Sequence, residues 1–535
     1  MTGAAERWRP VGGGEVAFEL PRHGQTNVSC PVRQDNRESP RAGAAKAAPA
    51  VKTRELMKRT LTAESLQEIR ARLEQAHKAL LRRYPGPPSD RQPIHVVYGG
   101  AHLFRGGTAR RLGDLALKSL DDYAPDFASF AKAVGLSGAD RLPDASAAAG
   151  VAKSIEDDPE AARRENPAAW FAHTVYRRIR EKLRREPVED LRIDFEDGYG
   201  NRPDDEEDGH ATTAAAEVSS GLNAGELPQF IGIRIKPFNE ELRERSIRTL
   251  DIFLTELAEK SRSALPKHFC VTLPKVALPD EVAALADICS RLEPMLDFEP
   301  GALRIEIMVE TPHAIFNERG EASLLSLVGA ARGRCTAVHF GPYDYTASLH
   351  IASTYQPIAH FASDFARGVM QVALAGTSVR IGDGPTNIMP IPPHRAKDGA
   401  ALSTRQAEEN RAAVHRGWKI HFDNVRRSLG NGFFQGWDLH PAQLPARYAA
   451  VYSFFLENQD SSAERLRNFV EKAAQATRVG QVFDDAAMAQ GLLNYFVQAI
   501  NCGALTADEV QRLTTLSAAE IRGGSFLAIL GRRQA

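Results

Sequence analysis

Short apolar runs alternate with longer amphipathic stretches through the middle of the chain. The runs have the length of buried strands, and the stretches Glu240–Glu259 and Pro279–Leu292 carry apolar residues at helical spacing. Six runs are strong and two are weaker; they lie at Ile94–Tyr98, Leu191–Phe195, Phe230–Ile235, Phe269–Leu273, Leu303–Val309 and Cys335–Phe340, then at 378–381 and 434–439. Eight strands separated by helices predict an α/β fold, a parallel (β/α)8 barrel of the TIM type.

The same pattern divides the chain into four segments. Residues 1–50 are rich in Gly, Ala, Pro and Arg without an apolar period, which predicts a disordered leader. Residues 51–90 hold a helical pattern that a Pro-rich linker ends, and residues 91–450 hold the barrel. After Pro441 only helical spacing remains, so residues 451–535 are predicted to be a C-terminal helical extension that packs on the barrel or on a neighbouring subunit.

The charge balance and the cysteines narrow the class of protein. The chain has 67 basic and 68 acidic residues, whereas proteins that bind nucleic acid or a membrane surface usually show a basic excess. No apolar run is long enough to cross a membrane. The five cysteines are scattered and form no CxxC pair, which argues against a disulfide framework or a zinc site. We therefore expect a cytoplasmic protein that has neither nucleic acid nor a membrane as a partner.

Charged and polar residues recur where the predicted strands end. In a parallel barrel the carboxyl ends of the strands form the active-site face. Each such residue has an ordinary structural explanation by itself, as a turn former, a helix cap or an ion-pair partner. Their repetition at the same end of most strands indicates a site instead, and its members in chain order are Asp194, Glu196, Asp197, Arg234, Lys236, Lys275, Glu310, Pro342, Asp344 and His440.

Glu310 and Asp344 follow neighbouring predicted strands and are the candidate metal ligands. Carboxylate oxygens are the ligands that Mg²⁺ and Mn²⁺ prefer, and two of them leave coordination positions open for a substrate. A metal held there would stabilise an enolate, the difficult intermediate in cleaving a carbon–carbon bond beside a carbonyl. Arg234 offers a bidentate clamp for a substrate carboxylate, with an ion pair to Asp194 or Glu196 as the alternative interpretation.

Seven motifs in order resemble those of citrate lyase beta-subunit-like proteins in the HpcH/HpaI aldolase superfamily. They are similar to the DLED, VRVN, LPK, IET, GxxDL, IDGP and IHPxQ segments of that family, and lie at Asp194–Gly198, Ile233–Lys236, Leu273–Val276, Val309–Pro312, Phe340–Tyr345, Ile381–Pro385 and Gly436–Leu444. The resemblance spans residues 94–450. Each motif alone is weak, and the ordered set is specific.

The resemblance implies a TIM-type barrel, a Mg²⁺ or Mn²⁺ site at Glu310 and Asp344, and a homo-oligomer. It also implies lyase or aldolase chemistry on a 2-oxo acid, a 3-hydroxy acid or an acyl-CoA thioester. Together with the strand-end placement, it assigns catalytic roles to Arg234, Glu196, Asp197 and Lys275, and substrate binding to Arg234, Asp194, Lys236, Pro342 and His440.

The chain departs from the family pattern around the substrate rather than around the metal. Trp437 and Asp438 replace the usual Gly-Lys, and Lys236 replaces Asn. An acidic stretch at Asp204–Asp208 is predicted to be a solvated surface loop. The departures leave the identity of the substrate, the use of CoA, the direction of the reaction and the size of the oligomer open.

Two other functions remain open. A malate-synthase-like enzyme would use related chemistry to condense an acyl-CoA, and its strand-end segment is similar to Asp194–Asp197. A non-catalytic ligand sensor would keep the barrel without its chemistry. The presence of both candidate metal carboxylates favours an enzyme over a sensor.

Overall fold

Eight parallel strands close into a barrel in the computed structural model, in the order in which they occur along the chain. The strands are β1 His95–Gly100, β2 Asp190–Asp194, β3 Phe230–Arg234, β4 Phe269–Leu273, β5 Arg304–Val309, β6 Cys335–Phe340, β7 Arg380–Pro385 and β8 Gln435–Asp438. Pairing of β1 with β8, from His95 opposite Gly436 to Val97 opposite Asp438, completes the ring. The predicted (β/α)8 barrel is confirmed.

The structure describes residues 60–86, 91–396, 401–471, 477–479, 482–484, 486–523 and 529. The predicted leader lies outside these residues. The chain divides into two compact units, residues 1–71 and 72–535, and the barrel belongs to the second. In the first, the described residues form a turn, where the Ser65 backbone N–H donates to the Thr62 hydroxyl at 3.2 Å, and the start of a helix.

The α-helices of the described residues are numbered in chain order, and helices follow most of the barrel strands. They are α1 Gln67–Arg83, α2 Thr108–Tyr123, α3 Phe127–Val134, α4 Ala145–Asp157, α5 Pro159–Glu165, α6 Pro167–Arg185, α7 Asp204–Ala224, α8 Arg243–Ser261, α9 Pro279–Met295, α10 Pro312–Ile315, α11 Leu324–Ala330, α12 Pro342–Ser348, α13 Phe361–Leu374, α14 Thr404–Gly430, α15 Leu444–Glu471, α16 Ala486–Asn501, α17 Ala507–Thr514 and α18 Ala518–Arg522. The long region between β1 and β2 holds α2 to α6.

The core lies between the strands and these helices. Strand residues such as Ile193, Ile233 and Val271 are fully buried, as are Phe253 of α8 and Trp418 of α14. Burial of such large apolar side chains is the main favourable contribution to folding. Every residue of β2, β3 and β4 is buried, which explains why a run such as Phe269–Leu273 is predominantly apolar.

The region after the barrel packs on its outer helices. Helix α15 lies against α6 and α14, and α16 and α17 lie against α15. Arg178 of α6 contacts Glu509 of α17 at 2.7 Å between Nη2 and Oε1. The prediction that only helices follow Pro441 was wrong, because a short antiparallel pair, β9 Thr477–Val479 and β10 Val482–Asp484, separates α15 from α16.

The acidic stretch Asp204–Asp208 is helical, so its prediction as a loop was wrong, whereas Asp204, Asp205 and Glu206 are exposed at the surface as predicted. It forms the first turns of α7, where negative charge interacts favourably with the unpaired N–H groups and dipole of the helix. Glu207 is buried, and Asp208 pairs with Arg245 and Arg248 of α8. The acidic residues therefore join α7 to its neighbours.

Two further features concern the helices and the cysteines of the described residues. None of their helices combines the length and apolar character that crossing a membrane requires. Cys270, Cys289, Cys335 and Cys502 are buried free thiols, so no described cysteine forms a disulfide.

Candidate active site

A cavity of about 390 Å³ opens at the carboxyl ends of the strands. Six residues predicted from the sequence line it, namely Asp194, Asp197, Arg234, Glu310, Pro342 and Asp344. Glu196 and Lys275 contact these residues without lining the cavity themselves. The structure therefore brings together most of the strand-end residues in one place.

Glu310 and Asp344 lie at the same mouth of the barrel. Glu310 follows β5 and is buried, whereas Asp344 lies in the first turn of α12 with its side chain 41% exposed. Both contact Lys275: its backbone N–H donates to Glu310 Oε2 at 2.8 Å, and its Nζ lies 3.7 Å from Asp344 Oδ2. Burial, and then the negative charge of Asp344, raise the pKa of Glu310 to about 8. Burial also raises the pKa of Asp344.

This pair fits a hard divalent cation. The raised pKa values mean that negative charge at the two carboxylates is under-compensated, and a bound cation would relieve it. In the described ranges no cluster of three or more His, Cys, Asp and Glu side chains is arranged to hold a metal. Mg²⁺ commonly binds through one or two carboxylates and keeps other positions for water or substrate.

Arg234 is held from one side by Asp194. Its Nε and Nη2 donate to the two carboxylate oxygens at 2.7 and 2.6 Å, and both residues are buried. Despite burial, the charge of Asp194 keeps the pKa of Arg234 well above its ordinary value. The remaining Nη1 has no well-formed hydrogen bond and lies 3.1 Å from Glu196 Oε2 and 3.7 Å from Asp197 Oδ2. The ion pairs of the alternative interpretation, with Asp194 and with Glu196, are therefore both present.

Glu196, Asp197 and Lys275 form a charged cluster beside the carboxylate pair. The Lys275 ammonium contacts Glu196 and lies 3.2 Å from both Asp197 oxygens. Burial raises the pKa of Glu196. Although burial opposes it, hydrogen bonding to Glu196 and the charges of Arg234 and Lys275 lower the pKa of Asp197. Adjacent carboxyl groups whose pKa values are pushed apart are suited to hold and to accept a proton.

Lys236 and His440 do not line the cavity, so their predicted contact with substrate has no support in the structure. Because β3 ends at Arg234, the alternation that would place residues 234 and 236 on the same face stops there. The buried Lys236 ammonium donates to Glu207 and to the Phe195 carbonyl at 2.7 and 2.6 Å. His440 Nδ1 accepts the Ala442 N–H at 3.2 Å and caps the following turn.

Two aromatic residues of the cavity were missed as site residues. The rings of Tyr98 in β1 and Trp437 in β8 lie 4.4 Å apart, and the Arg234 guanidinium lies 4.6 Å from the Tyr98 ring centroid and 5.5 Å from that of Trp437. The Trp437 indole N–H is buried without a partner among the described residues. For Trp437, the sequence did contain a signal, namely the replacement of the usual Gly-Lys by Trp437 and Asp438. Tyr98 gave no signal, because it resembles any other apolar residue of a strand.

Comparisons with known proteins give one family and several distant barrels. The model of the domain of unknown function DUF6986 matches residues 73–529, and a search of curated protein sequences gives no significant match. A citrate lyase from Burkholderia xenovorans LB400 is 17% identical, with a TM-score of 0.46, over 63% of this chain and 91% of its own. CitE from Mycobacterium tuberculosis, in complex with magnesium, acetoacetate and coenzyme A, is 13% identical, with a TM-score of 0.37, over 62% and 95% of the two chains. Haloferax volcanii malate synthase is 14% identical, with a TM-score of 0.37, over 69% and 94%. Since the family model covers most of the sequence, the chain belongs to the DUF6986 family.

Proposed function

We propose that this protein is a Mg²⁺-dependent carbon–carbon lyase of the aldolase type that acts on a small carboxylate substrate. The observation that carries the proposal is the meeting of two under-compensated carboxylates, Glu310 and Asp344, with a guanidinium nitrogen of Arg234 in one cavity. Mn²⁺ would suit the same oxygen ligands. The motif resemblance to citrate lyase beta-subunit-like proteins supports the same class of reaction.

Glu310 and Asp344 would hold the cation at the mouth of the barrel. When bound, the cation supplies positive charge that favours an enolate beside a carbonyl. Lys275 anchors both ligands, through its backbone N–H to Glu310 and its ammonium near Asp344. Lys275 would thereby orient the two carboxylates in the metal-free protein.

Arg234 would bind the substrate carboxylate through Nη1, which would exchange its contact with Glu196 for the substrate. Because Asp194 fixes Nε and Nη2, the guanidinium is held rigidly and loses little conformational entropy on binding. Tyr98 and Trp437 cover it and limit access of water, which strengthens charge interactions inside the cavity. Trp437 also lines the cavity and would contact the substrate through its ring.

Glu196 and Asp197 would move the proton of the reaction. Asp197 lines the cavity and, with its lowered pKa, is the carboxylate that accepts a proton. Burial raises the pKa of Glu196, which makes it the better of the two groups to return the proton as an acid. The Lys275 ammonium contacts both and stabilises negative charge on either. This assignment follows the rule that neighbouring groups with separated pKa values take acid and base roles.

The test is a screen of the purified full chain against 2-oxo acids, 3-hydroxy acids and acyl-CoA thioesters, with Mg²⁺ and with EDTA. We expect metal-dependent cleavage that Glu310→Gln or Asp344→Asn abolishes. Both variants should still fold, because each removes negative charge from a repelling pair. Glu299→Gln, an exposed glutamate between α9 and β5, is the matched control and should behave as wild type.

Coupled thiol detection in the same screen separates cleavage from a malate-synthase-like condensation, in which the thioester is hydrolysed. Turnover that EDTA leaves unchanged, or that survives both carboxylate substitutions, would refute the metal-dependent lyase. Binding of a ligand without turnover under any condition would favour a sensor. The predicted homo-oligomer is tested separately by light scattering of the same sample.

A further inference from the structure

A second cavity, of about 420 Å³, lies at the opposite end of the barrel. Five of its lining residues are the first residues of successive strands, β3 to β7, namely Phe230, Phe269, Arg304, Cys335 and Arg380. Five lining residues are basic, namely Arg192, Lys267, His268, Arg304 and Arg380. No Asp or Glu is among the described residues that line it. The floor of the barrel therefore carries a strong positive charge.

Only part of this charge is neutralised within the barrel. Arg192 is buried and contacts Asp190 and Glu306, the latter at 3.2 Å between Nη2 and Oε2. It also donates to the Thr272 hydroxyl at 3.0 Å. His268 stacks on Phe230, with ring centroids 4.4 Å apart. Asp190 and Glu306 thus face Arg192 from inside the barrel, whereas the other cations lie at the rim.

Lys267, Arg304 and Arg380 contribute charge that no described carboxylate contacts. Within the described residues, Arg304 Nη1 donates to the Gly333 carbonyl alone, at 3.3 Å. Arg380 lies with its guanidinium 5.2 Å from the Phe230 ring centroid, and its Nε is buried without a hydrogen-bond partner in the described part of the chain. Its charge acts on Asp190 only at longer range. A buried donor without an acceptor is costly, so this position favours an acceptor from outside the chain.

The geometry points to an oxyanion site at the floor of the barrel, built to take a phosphoryl group. Guanidinium groups match phosphate oxygens with paired donors, and Lys267 adds a compact charge. The hydroxyls of Thr336 and Ser378 also line the cavity and supply neutral donors. The group would be either free phosphate or the phosphate of a small metabolite.

The site lies apart from the candidate active site and does not depend on the proposed reaction. A ligand there would touch the first residues of five strands, at the end of the barrel where interactions serve stability rather than catalysis. Binding to the folded state alone raises the stability in proportion to the logarithm of ligand concentration. The site would therefore link the stability of the barrel to the concentration of phosphate compounds.

Isothermal titration calorimetry with inorganic phosphate, at constant ionic strength set with chloride, tests the site. We expect saturable binding at one site, weakened at least tenfold in both Arg380→Gln and Lys267→Gln. Lys267 is exposed, so its substitution tests the site without endangering folding. Arg291→Gln, an exposed arginine of α9 outside the cavity, is the matched control and should bind phosphate as wild type does.

A parallel titration with a sugar phosphate identifies the source of the group. Tighter binding than inorganic phosphate, lost in the same variants, assigns the site to a phosphorylated metabolite; equal affinity assigns it to free phosphate. Absence of saturable phosphate binding to the wild type, or wild-type affinity in both Arg380→Gln and Lys267→Gln, would overturn the proposal. Neither result depends on the catalytic activity, so failure here leaves the proposed lyase untouched.

Discussion

Replacing Gly341 by alanine would test the role of Glu310 without changing any charge. Gly341 lies between β6 and α12, and a Cβ there would be 2.4 Å from both Cγ and Oε1 of Glu310. The backbone of Gly341 has φ −106°, which alanine adopts without strain, so the effect comes from the collision alone. Glu310 is buried and has little room to give way.

The size of the effect follows from these distances. The Glu310 side chain must retreat by about 1 Å to reach the ordinary contact distance of 3.4 Å. That movement breaks its 2.8 Å hydrogen bond from the Lys275 backbone, worth about 1.5–3 kcal/mol for a charged acceptor. Metal sites tolerate displacements of only about 0.2 Å. We therefore expect Mg²⁺ affinity to fall by about ten- to a hundredfold, and stability to fall by about 1–3 kcal/mol through overpacking.

Metal binding by calorimetry and unfolding in urea measure the two effects separately. Gly150→Ala is the control, because Gly150 lies in α4 with nothing within 4 Å of the added methyl group. It should leave metal affinity unchanged and raise stability by about 1 kcal/mol, as expected for Gly to Ala within a helix. If Gly341→Ala stays folded and binds Mg²⁺ as tightly as the wild type, Glu310 is not a metal ligand.

Three further predictions concern buried ionisable side chains. Arg234→Lys should lower kcat/KM by about ten- to a hundredfold, because an ammonium cannot bind Asp194 and a substrate carboxylate together; unchanged kinetics would remove Arg234 from the site. Lys236→Met removes one of the two cations that contact the buried Glu207, Arg245 being the other, and should lower the free energy of unfolding in urea by about 1.5–3 kcal/mol; a wild-type value would contradict this. Burial lowers the pKa of His339, so as the pH falls the unfolded state takes up a proton before the folded state does. The contribution of the neutral His339 to the free energy of unfolding is therefore fully present above about pH 6.5. Below that pH it falls by up to about 1.4 kcal/mol per pH unit. His339→Gln should flatten the acid limb of urea stability against pH, and an unchanged slope would exclude His339 as its origin.

The barrel was predictable because its strands are buried on both faces. A strand such as Phe269–Leu273 then reads as an unbroken apolar run, and the predicted bounds coincide with those of β4. The mouth residues were predictable for a related reason, since a polar residue directly after such a run must lie at the carboxyl end of its strand. Glu310 follows β5 directly and obeys this rule, whereas Asp344 lies beyond the end of β6, in the first turn of α12.

The direction of a side chain beyond the end of a strand was not predictable. Arg234 is the last residue of β3 and reaches the cavity, whereas Lys236 is two residues further on and pairs with Glu207 of α7. Sequence spacing treats both as members of one alternating series. The difference depends on where the backbone leaves the sheet and on a partner from a distant helix, and no local pattern contains either.

Aromatic residues inside strands were equally hidden. Tyr98 and Trp437 are residue types that are common in the interior of any sheet. Their strands, β1 and β8, become neighbours only when the barrel closes. Contact between their rings is a long-range consequence of topology. The same is true of the short β9–β10 pair, which is too brief to show an alternation in sequence.

The two departures at residues 437 and 438 have separate structural consequences because neighbouring strand residues face opposite ways. Trp437 lines the cavity, whereas Asp438 is fully buried outside it. The Asp438 carboxylate lies 3.0 Å from His95 Nδ1 and 2.9 Å from His421 Nε2, and accepts two donors of Arg447. These partners come from β1, α14 and α15, so one carboxylate ties the closing seam of the barrel to the helix that begins the C-terminal extension. Trp437 is the direct neighbour of Asp438 in the chain, so these contacts connect the first helix of the extension to a residue that lines the candidate active site. The later helices of the extension pack on the outside of the barrel.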